Sequence, residues 1–302
     1  MLPGGVAEAE YDVPPDAWYF DADRQETMPF GVLLEIPLQA CGWISSYMGS
    51  ALTSPEPLKY RNLGGKAVQH AAVTRNSGRL KIEAKCTKVS SSGGMIIQNF
   101  EFSVRDRDGL VYDGDTYFGF FHPEALAEQV GVRDAVLHAS TPAERAVAQA
   151  PVLPDSAPFP NPTWRMIDQV TALVPDGGPA GLGFIEGTTS VDPDAWFFRA
   201  HFHQDPVWPG SLGLESLLQL LKVVASARWG FSADTRFESV ALREPHHWEY
   251  RGQVIPTNRL VTVQAVITAR DDARRLLRAD GLLSVDGKVI YRMKGFTLRI
   301  VG

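Results

Sequence analysis

Hydrophobic positions wrap most of a helical circumference in two stretches of this chain, Met28 to Met48 and Pro209 to Trp229. A helix apolar on every side is a buried one, so the pattern predicts two core helices. Each is followed by long segments rich in β-branched and aromatic residues. After the second helix these are 236–251, 259–270, 275–285 and 288–300, which predict strands of an antiparallel sheet. Two more strand candidates precede that helix, Trp164–Val174 and Gly181–Val191, divided by the turn sequence Pro175-Asp-Gly-Gly-Pro179. Only one, Gly5–Val13, precedes the first helix.

The residues repeat with the pattern. Val13-Pro-Pro-Asp-Ala-Trp-Tyr-Phe20 returns 178 residues later as Val191-Asp-Pro-Asp-Ala-Trp-Phe-Phe198. Pro29 to Gln39 matches Pro209 to Gln219 at a spacing of 180, which sets Glu35 against Glu215 and Gln39 against Gln219. Arg79-Leu80 and Arg259-Leu260 keep 180, and Asp108-Gly109 and Asp286-Gly287 return to 178. So long a period is no solenoid unit; one domain fold is written twice. The predicted class is α+β, a double hotdog, with two antiparallel sheets each wrapped around a long buried helix and able to join side by side. The expected division is a first hotdog over 1–121, a linker over 122–163 and a second hotdog over 164–302. Within the linker an Ala-rich stretch, Pro123–Ala150, reads as helical, and prolines at 151, 154, 158, 160 and 162 predict an extended tether. The first copy lacks a counterpart of Trp164–Val174, so the chain reads as a segment cut from a longer polypeptide, its first hotdog truncated.

Composition narrows the function. With 29 Lys+Arg against 35 Asp+Glu the net charge is −6, and 44% of residues are hydrophobic, which excludes a disordered chain and argues against a partner bound through its phosphates. Cys41 and Cys86 are too few for a disulfide framework or a four-ligand zinc site and suit a reducing cytoplasm as core thiols. The longest apolar candidate, Leu212 to Trp229, carries Glu215, Gln219, Lys222 and Arg228, so no membrane insertion is expected.

The stretch His201-Phe-His-Gln-Asp205-Pro-Val-Trp-Pro209-Gly210-Ser-Leu-Gly-Leu-Glu215-Ser-Leu-Leu-Gln219 carries the candidate chemistry. It resembles the active-site segment of the β-hydroxydecanoyl-ACP dehydratase/isomerase family, H-F-x-x-D-P-V-x-P-G-x-L-G-L-[DE]-x-x-x-Q, at every fixed position. Copy-one phrases, Leu38 to Trp43, Ser50 to Ser54, Asn62 to Gly65 and Ser91 to Met95, are similar to the dehydratase region of polyunsaturated fatty acid synthases, relatives of polyketide synthases. The resemblance implies elimination of water from a 3-hydroxyacyl thioester carried by an acyl carrier protein, without metal or organic cofactor. It also implies other synthase domains as partners, and leaves a homodimer open.

That reaction needs a base for the C2 proton, an acid for the departing hydroxyl and donors for the thioester oxygen. His201 suits the base, and Glu35 or Glu215 could be the acid in an apolar tunnel. Gly210 would open the buried helix, whose amino end holds the oxygen. In the family each site takes its His from one hotdog and its carboxylate from the other, which implies pairing His201 with Glu35. Glu215 then faces the copy-one position that should hold a His. That position is Asp23 at a spacing of 178 or Asp21 at 180, so one working and one degenerate site are expected. Gln39 and Gln219 stand one helical turn beyond their glutamates, placed to orient them.

Plainer readings stand beside these. His203 and Asp205 form with His201 an H-x-H-x-D set that could bind metal. His246 and His247 read as surface or strand histidines. Arg243, Arg251, Arg270, Arg274, Arg275 and Arg278 read as solvated sheet-edge charges, or as the landing site of an acidic carrier. A hotdog thioesterase and a non-catalytic acyl-binding scaffold are the competing functions.

Overall fold

The computed structural model describes residues 4–92 and 94–301; Gly93, within the Ser91–Met95 phrase, lies outside them. Copy one runs β1 (Val6–Asp12), α1 (Trp18–Asp23), α2 (Phe30–Tyr47), β2 (Lys59–Gln69), β3 (Arg79–Ser92), β4 (Met95–Asp106) and β5 (Gly109–Phe121). Two short helices follow, α3 (Pro123–Ala127) and α4 (Pro142–Val147). Copy two then runs β6 (Gln169–Val174), β7 (Phe184–Ser190), α5 (Trp196–Ala200), α6 (Gly210–Trp229), β8 (Arg236–Ser239), β9 (Pro245–Tyr250), β10 (Leu260–Asp271), β11 (Leu276–Val285) and β12 (Lys288–Val301).

The described strands form one sheet in the order β1-β3-β4-β5-β2-β9-β12-β11-β10-β7-β6, with β8 alongside β12. From the middle outward the two halves mirror each other: β2 and β9, β5 and β12, β4 and β11, β3 and β10, β1 and β7. Only β6 has no partner in this scheme. The molecule is a double hotdog. Its sheet curls around α2 and α6, whose side chains are buried on nearly every face in α6, from Ser211 to Ser226, and on most faces in α2.

The two halves join along β2 and β9, antiparallel from Gly64↔Glu249 to Val68↔Pro245. Side chains reinforce the ladder. Trp248 Nε1 donates to Asn62 Oδ1 at 3.0 Å, Arg251 donates to the Leu63 carbonyl at 2.8 Å, and Tyr112 Oη meets His246 Nε2 at 3.0 Å. His246 is therefore a fully buried strand residue and not a surface one; burial pushes its imidazole down to about 3, so it stays neutral. The strand arginines are also more engaged than solvated edge charges. Arg251 reaches across the seam, and Arg278 pairs with Glu244.

Three local expectations need correction. The stretch 123–150 is not one helix, because Gly131 and the residues before Pro142 break it into α3 and α4. The proline-rich segment is no free tether: Pro158, Phe159 and Pro160 are buried, Phe159 packs edge-on to Phe231, and Gln25 Nε2 donates to the Pro158 carbonyl at 3.2 Å. Prolines here shape a packed strap that lacks ladder donors of its own. In Trp164–Val174 only 169–174 is strand, since Trp164, Met166 and Ile167 bury against the helices instead; 236–251 likewise divides into β8 and β9 at the positive-φ residues Val240 and Arg243.

Close approach at the seam explains Gly65. A Cβ there would lie 2.4 Å from the Asp115 carbonyl oxygen and 2.5 Å from the Trp248 ring. Gly65→Ala is expected to cost about 1–3 kcal/mol, the usual penalty for overpacking, as a lower urea midpoint at unchanged slope. An unchanged midpoint would show that the seam is looser than described.

Candidate active site

His201 follows directly on α5, which ends there because the chain turns into Asp205-Pro206 and then Pro209, the cap of α6. Its Nδ1 lies 2.9 Å from the Val207 carbonyl oxygen. A carbonyl only accepts, so Nδ1 carries the proton and Nε2 presents its lone pair. Burial lowers the imidazole's pKa from its ordinary value, and the Glu35 carboxylate pulls it back up. That carboxylate comes from α2 of the other hotdog.

His201 and Glu35 line one cavity of about 410 Å³ with Gln39, Gly210, Ser211, Trp208 and Tyr250. Gln39 Nε2 donates to Glu35 Oε2 at 3.3 Å, as its i+4 spacing leads one to expect. Gly210 opens α6 with no room for a side chain: a Cβ would sit 2.6 Å from Tyr250 Cζ and 2.9 Å from its hydroxyl. Tyr250 Oη, Ser211 Oγ and Trp208 Nε1 are buried with no hydrogen-bond partner among the described residues. Three unpaired donors around one helix amino end are costly unless something from outside satisfies them. Sequence reasoning missed all three; Ser211 and Trp208 lie inside the motif at variable positions, and Tyr250 carries no motif at all.

Arg61 was also missed. It grips Asp205 with two hydrogen bonds, 2.7 and 3.0 Å, and Gln253 at 2.9 Å. Against burial, which acts upward, Arg61 and Lys59 hold the Asp205 carboxyl below its usual value. Asp205 is thus an ion-pair partner that fastens the His201 loop to β2, while His203 is exposed. Among the described residues no cluster of His, Cys, Asp and Glu could hold a metal.

The related position in the other half is closed. Glu215 is fully buried and accepts from the Gly31 amide at 3.1 Å, at the amino end of α2. Burial first, then the nearby Asp23 charge, push its carboxyl up to about 7. Asp23 stands where a His would be, and it is locked to Lys222 Nζ at 2.6 Å with both side chains out of solvent. Asp21, the other candidate, is exposed on the surface with Arg75 and takes no part. Gln219 does not orient Glu215; it holds the strap, donating to the Trp164 carbonyl and accepting from the Met166 amide, both at 2.8 Å.

Comparison with known proteins now bears on the site. Residues 159–294 match the FabA-like domain family. The second hotdog is a FabA-like domain. Across 98% of its length the chain is 30% identical to a polyunsaturated fatty acid synthase subunit of Thraustochytrium sp., over a 326-position alignment. It spans only 22% of that relative. Among solved structures, a MaoC-like dehydratase superposes with TM-score 0.53 at 14% identity, covering 99% of this chain and 98% of the other. An acyl-ACP thioesterase from Bacteroides thetaiotaomicron gives 0.54 at 11%, covering 97% of each. At such identities the structures share the hotdog fold alone, so the residues of the FabA-like domain must separate the two chemistries.

The buried ion pair gives a sharp test. Lys222→Met strands the Asp23 charge and is expected to cost about 3–5 kcal/mol in chemical denaturation. Adding Asp23→Leu should recover most of that loss. A single variant as stable as wild type would mean that Lys222 and Asp23 are not a buried pair.

Proposed function

We propose that this chain is a dehydratase unit of a fatty acid or polyketide synthase that removes water from a 3-hydroxyacyl thioester to give the trans-2-enoyl thioester. The observation that carries the reading is the His201–Val207 hydrogen bond, which leaves Nε2 basic in the cavity that Glu35 enters from the other hotdog. Nε2 takes the C2 proton, and the C–H electron pair becomes the C2–C3 double bond. Glu35 delivers a proton to the C3 hydroxyl, which leaves as water. Negative charge gathering on the thioester oxygen is met by the amino end of α6 at Gly210 and by the unpaired Tyr250, Ser211 and Trp208 donors. Burial holds the Tyr250 hydroxyl well above the tyrosine range, so it remains a donor throughout. Only protons move, and no cofactor is called for.

The substrate would arrive on the phosphopantetheine of an acyl carrier protein, with other synthase domains as neighbours. In this reading 1–121 and 164–302 are the two hotdog modules, joined by 122–163, and the setting is cytoplasmic. No described helix is long and apolar enough to cross a membrane. Isomerisation to the cis-3 product would use the same His201, moving a proton from C4 to C2. A thioesterase would need a carboxylate-activated water, whereas the cavity here pairs Glu35 with a lone-pair-bearing imidazole.

Turnover of a 3-hydroxyacyl carrier protein, or hydration of its crotonyl form, followed by mass spectrometry, tests this. His201→Ala and Glu35→Gln should each lose at least about 100-fold, and Tyr250→Phe about 10-fold or more, while Glu215→Gln stays near wild type. Loss with Glu215→Gln but not Glu35→Gln would refute the pairing, and a folded wild type without turnover would favour the acyl-binding scaffold. Because the His201 pKa is lowered, kcat/KM should hold down to pH 6.5, the ordinary imidazole value, and fall only in more acid solution.

A further inference from the structure

The two halves differ at one position in a way that bears on substrate choice. The active cavity follows one face of α2, past Glu35, Gln39, Gly42 and Ser46, residues spaced to stack along a helix. The face of α6 related by 180 residues carries Glu215, Gln219, Lys222 and Ser226. Glutamate, glutamine and serine recur; Gly42 alone is replaced, by Lys222. The Lys222 stem runs over the Phe237 ring, 5.7 Å from its centroid, to Asp23. Asp23 occupies the place of the catalytic histidine, so this one side chain fills the line along which an acyl chain would leave the reacting centre. In the active half that line is open, and the atom nearest a Cβ at Gly42 is Tyr60 Cε1 at 3.8 Å, an ordinary contact.

We propose that Gly42 is the specificity-determining residue for acyl length, and that its missing side chain keeps the groove beyond the reacting carbons open to long chains. This rests on the dehydratase reading for the position of the reacting carbons. Seven residues along α2 put Gly42 about 10 Å from Glu35. A four-carbon acyl group ends one carbon past C3 and does not reach it; a twelve-carbon group must pass it. Tyr60 faces Gly42 from the sheet, stacked on Phe118 and fixed by a 2.8 Å hydrogen bond to Ser45, so the opposite wall cannot easily retreat. A side chain at 42 therefore narrows the groove directly.

The experiment compares kcat/KM for 3-hydroxybutyryl and 3-hydroxydodecanoyl pantetheine thioesters in wild type, Gly42→Ala and Gly42→Leu. The Leu variant should shift the ratio against the twelve-carbon substrate by at least about 10-fold, within the range that steric changes in apolar pockets give, and Ala should shift it less in the same direction. Gly42→Ala needs no rearrangement of its neighbours, so it retains the test if the Leu variant folds poorly. An unchanged ratio in folded Ala and Leu variants overturns the proposal. If wild type turns over neither thioester, the dehydratase reading fails on its own, and calorimetric binding of dodecyl and butyl pantetheine thioethers decides the gate. Selective weakening of the dodecyl ligand in the Gly42 variants supports it, and equal affinities refute it.

Discussion

The pairing of β2 with β9 holds α2 and α6 in one fixed relation, and the candidate chemistry exists only because of that relation. His201 belongs to the loop that leads into α6, Glu35 to the second turn of α2, and neither hotdog contains both. Seam contacts extend into the site itself: Arg61, on β2, clamps Asp205 four residues beyond His201. The backbone ladder, the Arg61–Asp205 fork and the Trp248–Asn62 hydrogen bond thus serve both to join the halves and to position the imidazole. Small displacements at the seam would be transmitted to a pair whose usefulness depends on geometry finer than an ångström.

Two related sites have taken opposite courses from nearly the same residues. In one, an unbranched gap at Gly42 and an opened helix end at Gly210 leave space and unpaired donors. In the other, Phe30 stands at the position of Gly210, the Pro158–Met166 strap packs across, and Lys222 crosses the interior to Asp23. A lysine in so apolar a place is tolerable only with its counter-charge in contact. The degenerate site is therefore a piece of core rather than an empty cavity, and Glu215 survives there as a buried carboxyl docked on the end of α2.

Much of this was legible in the sequence because it rests on local pattern. The all-round apolar helices, the strands after them and the register of the repeat follow from periodicity, and the repeat itself places Glu35 against Glu215 and Asp23 against His201. What escaped reading depends on contacts distant in the chain. Arg61 and Tyr250 are ordinary strand residues until β2 and β9 meet. The proline-rich strap looks like a tether because its burial comes from Phe159 and Trp164 finding partners in both halves. Lys222 did carry a signal: a charge on the inner face of a helix buried on all sides demands a partner, and Asp23 was already in view.

The most direct test of a single site shared across the halves is nitrogen-15 NMR of His201 as a function of pH. The account predicts the Nδ1–H tautomer with a pKa below 6.5 and a further fall in Glu35→Gln, which removes the charge that raises it. Glu215→Gln should leave the titration where it was. An Nε2–H tautomer, or a titration that responds to Glu215→Gln and ignores Glu35→Gln, would contradict it.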